Sequence, residues 1–513
     1  MSGSERTSFE VIVLGGGPAG TAAATLLARR SHEVVLVRPA SPPAAKLAQS
    51  IPPSARLLLS ELGVLEAIEA AGFHPNTGNK VWWADGDARG ERFRANEPGF
   101  HVDRVGLERI MVAAAESIGA RVLLGMSARE AVQTGEGFRV TCEGVDGGTL
   151  ELRAPWLIDA TGRHGLLARQ VREPDRSTTT LALVGRFHRP GGWGDDTSGH
   201  TLIESYLDGW AWSVPLSPES RCVTAMIDQR HAELSGADVD AMLAGELAKT
   251  HRLGTLLDGA TPEGAAWACP ASLYCASQYA RPGLALAGDA GSFIDPLSSY
   301  GVKKALASGW LAAVATHTAL IDPSMTDVAV SFFDAREREV YRGYRRRSAE
   351  FFEEAAEAYQ HPYWQTRAEA ARAAGGTDFS ARDGGNKQDP DRLEALEGSP
   401  VSEQAVRAAF EQIRSRESLS AATGSSVRTI RRPAIASHRI VLEQHLATDR
   451  YPKGLRYARS VDLRRLSELA LEHDEVPDLW SAYNGVAPPV PLPDFLTALA
   501  TAFAAGLLEH RER

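Results

Sequence analysis

At 513 residues, with 43% hydrophobic and 23% charged residues, the chain is too long for one compact core and ordinary in composition for a globular protein. A net charge of -10 argues against nonspecific nucleic-acid binding, and Cys142, Cys222, Cys269 and Cys275 are too scattered for a disulfide framework or a thiolate metal site. No apolar stretch reaches membrane-spanning length and the first residues lack a basic-then-apolar leader, so a cytoplasmic protein without membrane contact is expected.

Phe9 to Leu14 is a short apolar run rich in β-branched residues, the pattern of a buried parallel strand. It runs into Gly15-Gly16-Gly17-Pro18-Ala19-Gly20, after which Thr21 to Arg30 reads as a helix and Glu33 to Val37 as a second strand. This is the βαβ setting of a dinucleotide fingerprint. Gly15 permits the tight turn, Gly17 lets the backbone approach a pyrophosphate, and Gly20 lets the helix pack on the strand. The second strand should end in an acidic residue that holds a ribose hydroxyl, yet it ends in Arg38. An arginine there suits a ribose phosphate, covers an adenine ring, or points to solvent.

Two later segments have the same strand-and-turn form: Trp156-Leu-Ile-Asp159-Ala-Thr161-Gly162, and Gly283 to Gly291 with Gly288-Asp289 in its turn. Asp295-Pro296-Leu297 and Tyr300-Gly301 follow, then a helix from Val302 to about Thr318. An Asp after such a strand can accept from a ribityl hydroxyl, and the start of the following helix can stabilise negative charge on a reduced flavin. Between these motifs, Lys80 to about His101 and Thr178 to about Ile227 alternate as strands of an antiparallel sheet. From Asp327 to Arg372 aromatic residues recur at helical spacing, as a core stripe does, and a polar Gly-rich linker runs from Ala374 to Pro390. The expected architecture is α/β. A Rossmann-type domain (1–80, 100–178 and 276–325) carries an antiparallel β-sheet substrate domain (80–100 and 178–275), a helical segment (326–375) and a C-terminal winged-helix-like module (395–513). Arg428, Arg431, Arg432 and Arg439 of that module form a basic run, which is usually a solvated face.

GGGPAG, Asp103-Arg104, the DATG turn and Gly288-Asp289 together resemble the FAD-dependent aromatic monooxygenases. Trp210-Ala-Trp212-Ser-Val214-Pro215, Phe293-Ile-Asp-Pro-Leu297 and Gln49-Ser-Ile-Pro-Pro53 narrow the resemblance to the branch containing the flavin-dependent halogenases and a protein-tryptophan hydroxylase of quinohemoprotein amine dehydrogenase maturation. The resemblance covers roughly residues 9 to 370. It implies FAD held by Gly15, Gly17, Ala19, Gly20, Arg38, Arg104, Asp159, Gly162, Gly288, Asp289 and Gly301. It also implies electrons from NAD(P)H or a separate flavin reductase, and an aromatic substrate, free or borne by a peptide or protein.

A halogenase of this branch guides its oxidised halide with a lysine, and the position that matches it is Asn76. Lys80 lies close in sequence, in phase with Trp82, and Tyr300 replaces the small residue of the halide loop. These departures favour hydroxylation of an electron-rich ring through a flavin hydroperoxide, with Asn76, Lys80, Trp210, Trp212 and Tyr300 as candidate residues on the substrate side and His74 as an unassigned neighbour. Two readings compete with it: a halogenase of an indole, pyrrole or phenol that uses Lys80 or another lysine, and a noncatalytic flavin-binding regulator acting through the C-terminal module.

Overall fold

The computed structural model describes residues 7–40, 48–84, 86–194, 198–229, 238–374 and 401–511. The chain divides into two compact units, Met1–Asp391 and Arg392–Arg513. The linker expected after Ala374 lies outside the described residues.

In chain order, the first unit contains β1 (Val11–Leu14), α1 (Pro18–Arg29), β2 (Val34–Arg38), β3 (Ala48–Ile51), β4 (His74–Asn76), β5 (Gly78–Trp82), β6 (Gly99–Asp103), α2 (Arg104–Ser117) and β7 (Arg121–Leu124). There follow β8 (Trp156–Asp159), β9 (Thr180–His188), β10 (His200–Tyr206), β11 (Gly209–Pro215), β12 (Ser220–Asp228), β13 (Leu284–Leu286), α3 (Gly301–Ile321), α4 (Thr326–Tyr359) and α5 (Pro362–Ala374). Strands β13, β8, β1, β2 and β7 form a parallel sheet, with the short strand Ala280–Arg281 antiparallel at its edge. Every residue of β1 is buried, as a central parallel strand covered on both faces requires. Helix α1 is Ala-rich because it is enclosed by the sheet and by α3. A Cβ on Gly20 would stand 1.9 Å from the Gly15 carbonyl oxygen, and one on Gly309 2.0 Å from that of Ala19. Only glycine permits either approach.

The second sheet is the antiparallel roof expected from the alternating segments. Its order runs from β9 through β12, β11, β10 and β5, with β10 and β5 parallel. Alternation gives it two apolar faces. Ala182, Val184, Ile203, Trp210 and Met226 join a cluster with Phe352 of α4 and Trp364 of α5. Leu181, Leu183, Leu202, Ala211 and Val223 join another with Leu243 and Leu253, on the helices Val239–Leu247 and Arg252–Leu257. The long helical stretch is two helices rather than one, broken where Gln360 adopts a left-handed backbone with φ 48°. Its Tyr341, Tyr344 and Phe352 are buried, so that aromatic stripe is core.

The second unit has its own core of Leu463, Leu466, Leu479, Phe495 and Leu499 on the helices Leu463–Ala470, Val476–Val486 and Leu492–Ala504. Its basic run lies on a two-stranded hairpin, Arg428–Ala436 with Arg439–Ala447, that periodicity alone did not reveal. Among the described residues no helix is long and apolar enough to cross a membrane.

Candidate active site

The nucleotide end is built at the carboxyl edge of the parallel sheet. Gly15 leaves β1 at φ 103°, its N–H donating to the Val37 carbonyl at 2.8 Å. Gly17 caps α1 with no side-chain acceptor and Pro18 stands in the first turn, so the first N–H groups of the helix keep their capacity for an anion. Arg38 does not point to solvent. Its aliphatic stem lies against Gly16 and its guanidinium reaches Glu108 Oε2 at 3.2 Å. Arg104 Nε donates to Glu108 Oε1 at 2.8 Å, one turn away on α2. The acidic group missing from the end of β2 is therefore present at the same mouth, supplied by Glu108. The sequence clue was its i,i+4 spacing from Arg104.

The two later strand-turns are held by two cations that the sequence reading passed over. Arg172 donates to the carbonyls of Gly162 (2.7 Å), Asp289 (3.0 Å) and Ala290 (3.0 Å), and its guanidinium lies 4.3 Å from the centre of the Tyr274 ring. It thereby staples the DATG turn to the Gly288-Asp289 turn. Lys304, on α3 and 1% exposed, donates to the Gly288 carbonyl at 2.9 Å and to that of Ser292, with Asp289 Oδ1 at 3.9 Å. The Asp159 carboxylate is buried and accepts from Thr161 Oγ1 (2.6 Å), Leu167 N (2.8 Å) and Ala168 N (3.2 Å). Its task is to shape that loop, so any service to a ribityl chain is indirect.

FAD fits what is present. The start of α3 carries no side-chain cap, the space beside Gly301 is open, and Gln49 Oε1 on β3 is a buried acceptor without a partner among the described residues. Strand β3 packs against both α3 and β11.

Trp210 and Trp212 stack with centroids 5.1 Å apart, in the same apolar cluster as Ala48, Phe293 and Leu297 of the flavin-side loops. The other three candidates on the substrate side have partners of their own. Asn76 is 1% exposed; its amide donates to Ser50 Oγ at 2.8 Å and its oxygen accepts from Gly78 N at 3.2 Å, so it ties β4 to β3. Lys80 shares a face with Trp82, as its phase predicted, with Nζ 5.3 Å from that ring. That face belongs to the Leu202 cluster, on the opposite side of the sheet from Trp210 and Trp212. Tyr300 turns onto α4, with its ring 5.9 Å from that of Tyr344 and the guanidinium of Arg347 at 5.6 Å. Lys303, unnoticed in the sequence, is 4% exposed beside Tyr300 and donates to Ser54 Oγ at 3.2 Å.

His74 donates from Nε2 to the Ser198 carbonyl at 2.7 Å, and its ring stacks 6.2 Å from that of His101. Burial holds the imidazole of His101 down to about 3 from an ordinary 6.5, with Arg221 adding to the effect. Below pH 6.5 the unfolded chain takes up a proton there that the fold refuses, so this residue makes stability fall as pH drops toward 3. Between pH 7 and 5 the wild type should lose about 2 kcal/mol more than His101→Gln does, measured by urea unfolding. Equal losses would contradict the assignment.

The FAD-binding domain family model matches residues 8–310, more than half of the chain. This chain belongs to the FAD-binding family. Among its sequence relatives, tryptophan 2-halogenase of Chondromyces crocatus is 32% identical over 331 residues, which are 60% of this chain and 60% of that protein's length. The flavin-dependent halogenase armH3 of Armillaria mellea is 29% identical over 62% of this chain and 69% of its own. Among solved structures, CmlS, a flavin-dependent halogenase, superposes with TM-score 0.75 at 22% identity, covering 99% of this chain and 96% of its own. The peptidyl tryptophan dihydroxylase QhpG superposes with TM-score 0.67 at 20% identity, covering 98% and 100%. Membership in the FAD-binding family accounts for the uncapped α1 start and the glycine turn.

Proposed function

We propose that this chain is an FAD-dependent monooxygenase that hydroxylates an electron-rich aromatic ring, with a tryptophan side chain in a peptide or protein as the favoured substrate. The observation that carries this reading is the chemistry of the tryptophan face. The Asn76 amide is spent on Ser50 and Gly78, and Lys80 is on the other side of the sheet, so β4 and β5 offer that face no ammonium to guide an oxidised halide. Bound FAD supplies the reduction of oxygen and delivery of one oxygen atom. The residues do the rest. The uncapped start of α1 and the Arg38–Glu108–Arg104 cluster hold the nucleotide end, while Arg172 and Lys304 fix the turns around the flavin. Trp210 and Trp212 make an apolar wall that orients a flat ring and keeps water from the reacting atoms.

The reaction of reduced holoprotein with isotopically heavy oxygen and a tryptophan peptide, an indole or a phenol tests this. A product carrying one heavy oxygen supports it, and turnover that yields only hydrogen peroxide with every ring contradicts it. Lys80→Ala should leave product formation unchanged, and a large loss would restore Lys80 to the site. Two observations favour halogenation as the second reading. Lys303 sets a buried ammonium at the start of α3, and the sequence relatives bear halogenase names.

A further inference from the structure

Five aromatic rings run in continuous contact from the tryptophan face to the end of α4. Trp212 stacks on Trp210 at 5.1 Å, Trp210 meets Trp83 at 6.2 Å, Trp83 meets Trp364 edge-on at 5.3 Å, and Trp364 stacks on Tyr359 at 6.1 Å. Packing accounts for the burial of Trp83, Trp210 and Trp364. The polar partners along the line bear on what an oxidised ring there could do. The indole N–H of Trp83 donates to the Phe351 carbonyl at 2.8 Å and that of Trp364 to the Tyr206 carbonyl at 3.0 Å. A peptide carbonyl is not a base, so an oxidised indole at either position keeps its proton and passes the charge on. Tyr363, 4.8 Å from Trp364, is a side branch of the same kind: it is buried, its hydroxyl donates to the Met226 carbonyl, and burial pushes its phenol far above the usual range. Tyr359 differs. It is half-buried on the last residue of α4, and its hydroxyl donates to the Ser205 carbonyl at 3.0 Å and lies 3.0 Å from Ser205 Oγ, a hydroxyl that, unlike a carbonyl, can take up one proton and pass on another.

We propose that Trp212, Trp210, Trp83, Trp364 and Tyr359 form a relay that carries oxidising equivalents away from the flavin to solvent. An oxygen-derived radical arising at the flavin with no substrate ring to attack takes one electron from Trp212. Each indole is refilled in turn by the next, and Tyr359 ends the line by losing one electron to Trp364 and its phenolic proton to water. A soluble thiol or ascorbate then returns one electron, and water one proton, to Tyr359. The relay rests on FAD binding by this unit and not on whether the product is hydroxylated or halogenated.

The test uses the FAD-loaded full chain under blue light, with the light-excited oxidised flavin as the one-electron oxidant and transient absorption to follow the radicals. In the wild type the charge should move from tryptophan to a tyrosyl radical. Tyr359→Phe, which keeps the ring and its packing, should leave it on tryptophan, and Trp83→Phe should return the electron to the flavin-side indoles severalfold faster with no tyrosyl signal. The flavin spectrum and thermal midpoint of each variant report that it is folded and loaded, and Tyr359→Phe carries the test if Trp83→Phe does not fold. A wild-type charge that never leaves tryptophan, or a tyrosyl radical undiminished in folded Tyr359→Phe, would overturn the relay.

Discussion

Replacing Lys304 by methionine should release the Gly288–Ser292 turn and cost about 3 kcal/mol of stability, because two buried carbonyls lose their donor at once. Methionine fills similar space but has no N–H to offer. The Gly288 N–H remains held by Ser308 Oγ at 2.8 Å, so the turn should loosen rather than unravel. Asp289 also loses the one cation that faces it from α3. Urea unfolding and FAD titration should therefore shift together: a lower midpoint, and weaker binding in the variant that remains folded. A Lys304→Met protein with wild-type stability and affinity would show that the ammonium is incidental.

Gly15→Val should abolish useful FAD binding. The backbone there has φ 103°, a region closed to β-branched residues, and the added Cβ would stand 2.3 Å from the Ala160 carbonyl oxygen. To relieve this, β1 must move away from β8 or the turn must open, and either displaces the start of α1. Strain of about 3 kcal/mol appearing as lost affinity weakens binding about a hundredfold. Titration of flavin fluorescence measures it directly, and retention of FAD through desalting would contradict the account of the turn.

The sequence made the nucleotide fold legible because each signal was local. A β-branched run, a glycine turn and an Ala-rich helix follow within twenty-odd residues, and the two later strand-turns repeat the form. Register along the roof was also legible in part. Lys80 and Trp82 were correctly set on one face, since strand side chains alternate. Which side of the sheet that face looked toward was not legible, because it depends on how β5 pairs with β10 more than a hundred residues away. The same limit explains Asn76 and Tyr300. Their partners, Ser50 on β3 and Tyr344 on α4, are remote in sequence, so composition could say what each residue lacked but not what it held. Arg172 and Lys304 were missed for a related reason. A lysine among Val302, Ala305 and Leu306 is an oddity in an apolar helix, but only the fold supplies the carbonyls that make it a clamp. In the second unit, helices with strong periodicity stood out, while the Arg428–Ala447 hairpin, with apolar and basic residues mixed on both strands, did not.

The central claim is that oxygen, not halide, is transferred to the substrate ring. Reduced holoprotein should be mixed with oxygen and an electron-rich aromatic such as a tryptophan peptide, with and without excess bromide, and the products weighed by mass spectrometry. The account predicts a product heavier by one oxygen atom in both mixtures, in equal yield. A brominated product that appears only with bromide, and that vanishes in Lys303→Met, would contradict it and identify a halogenase whose lysine sits on α3.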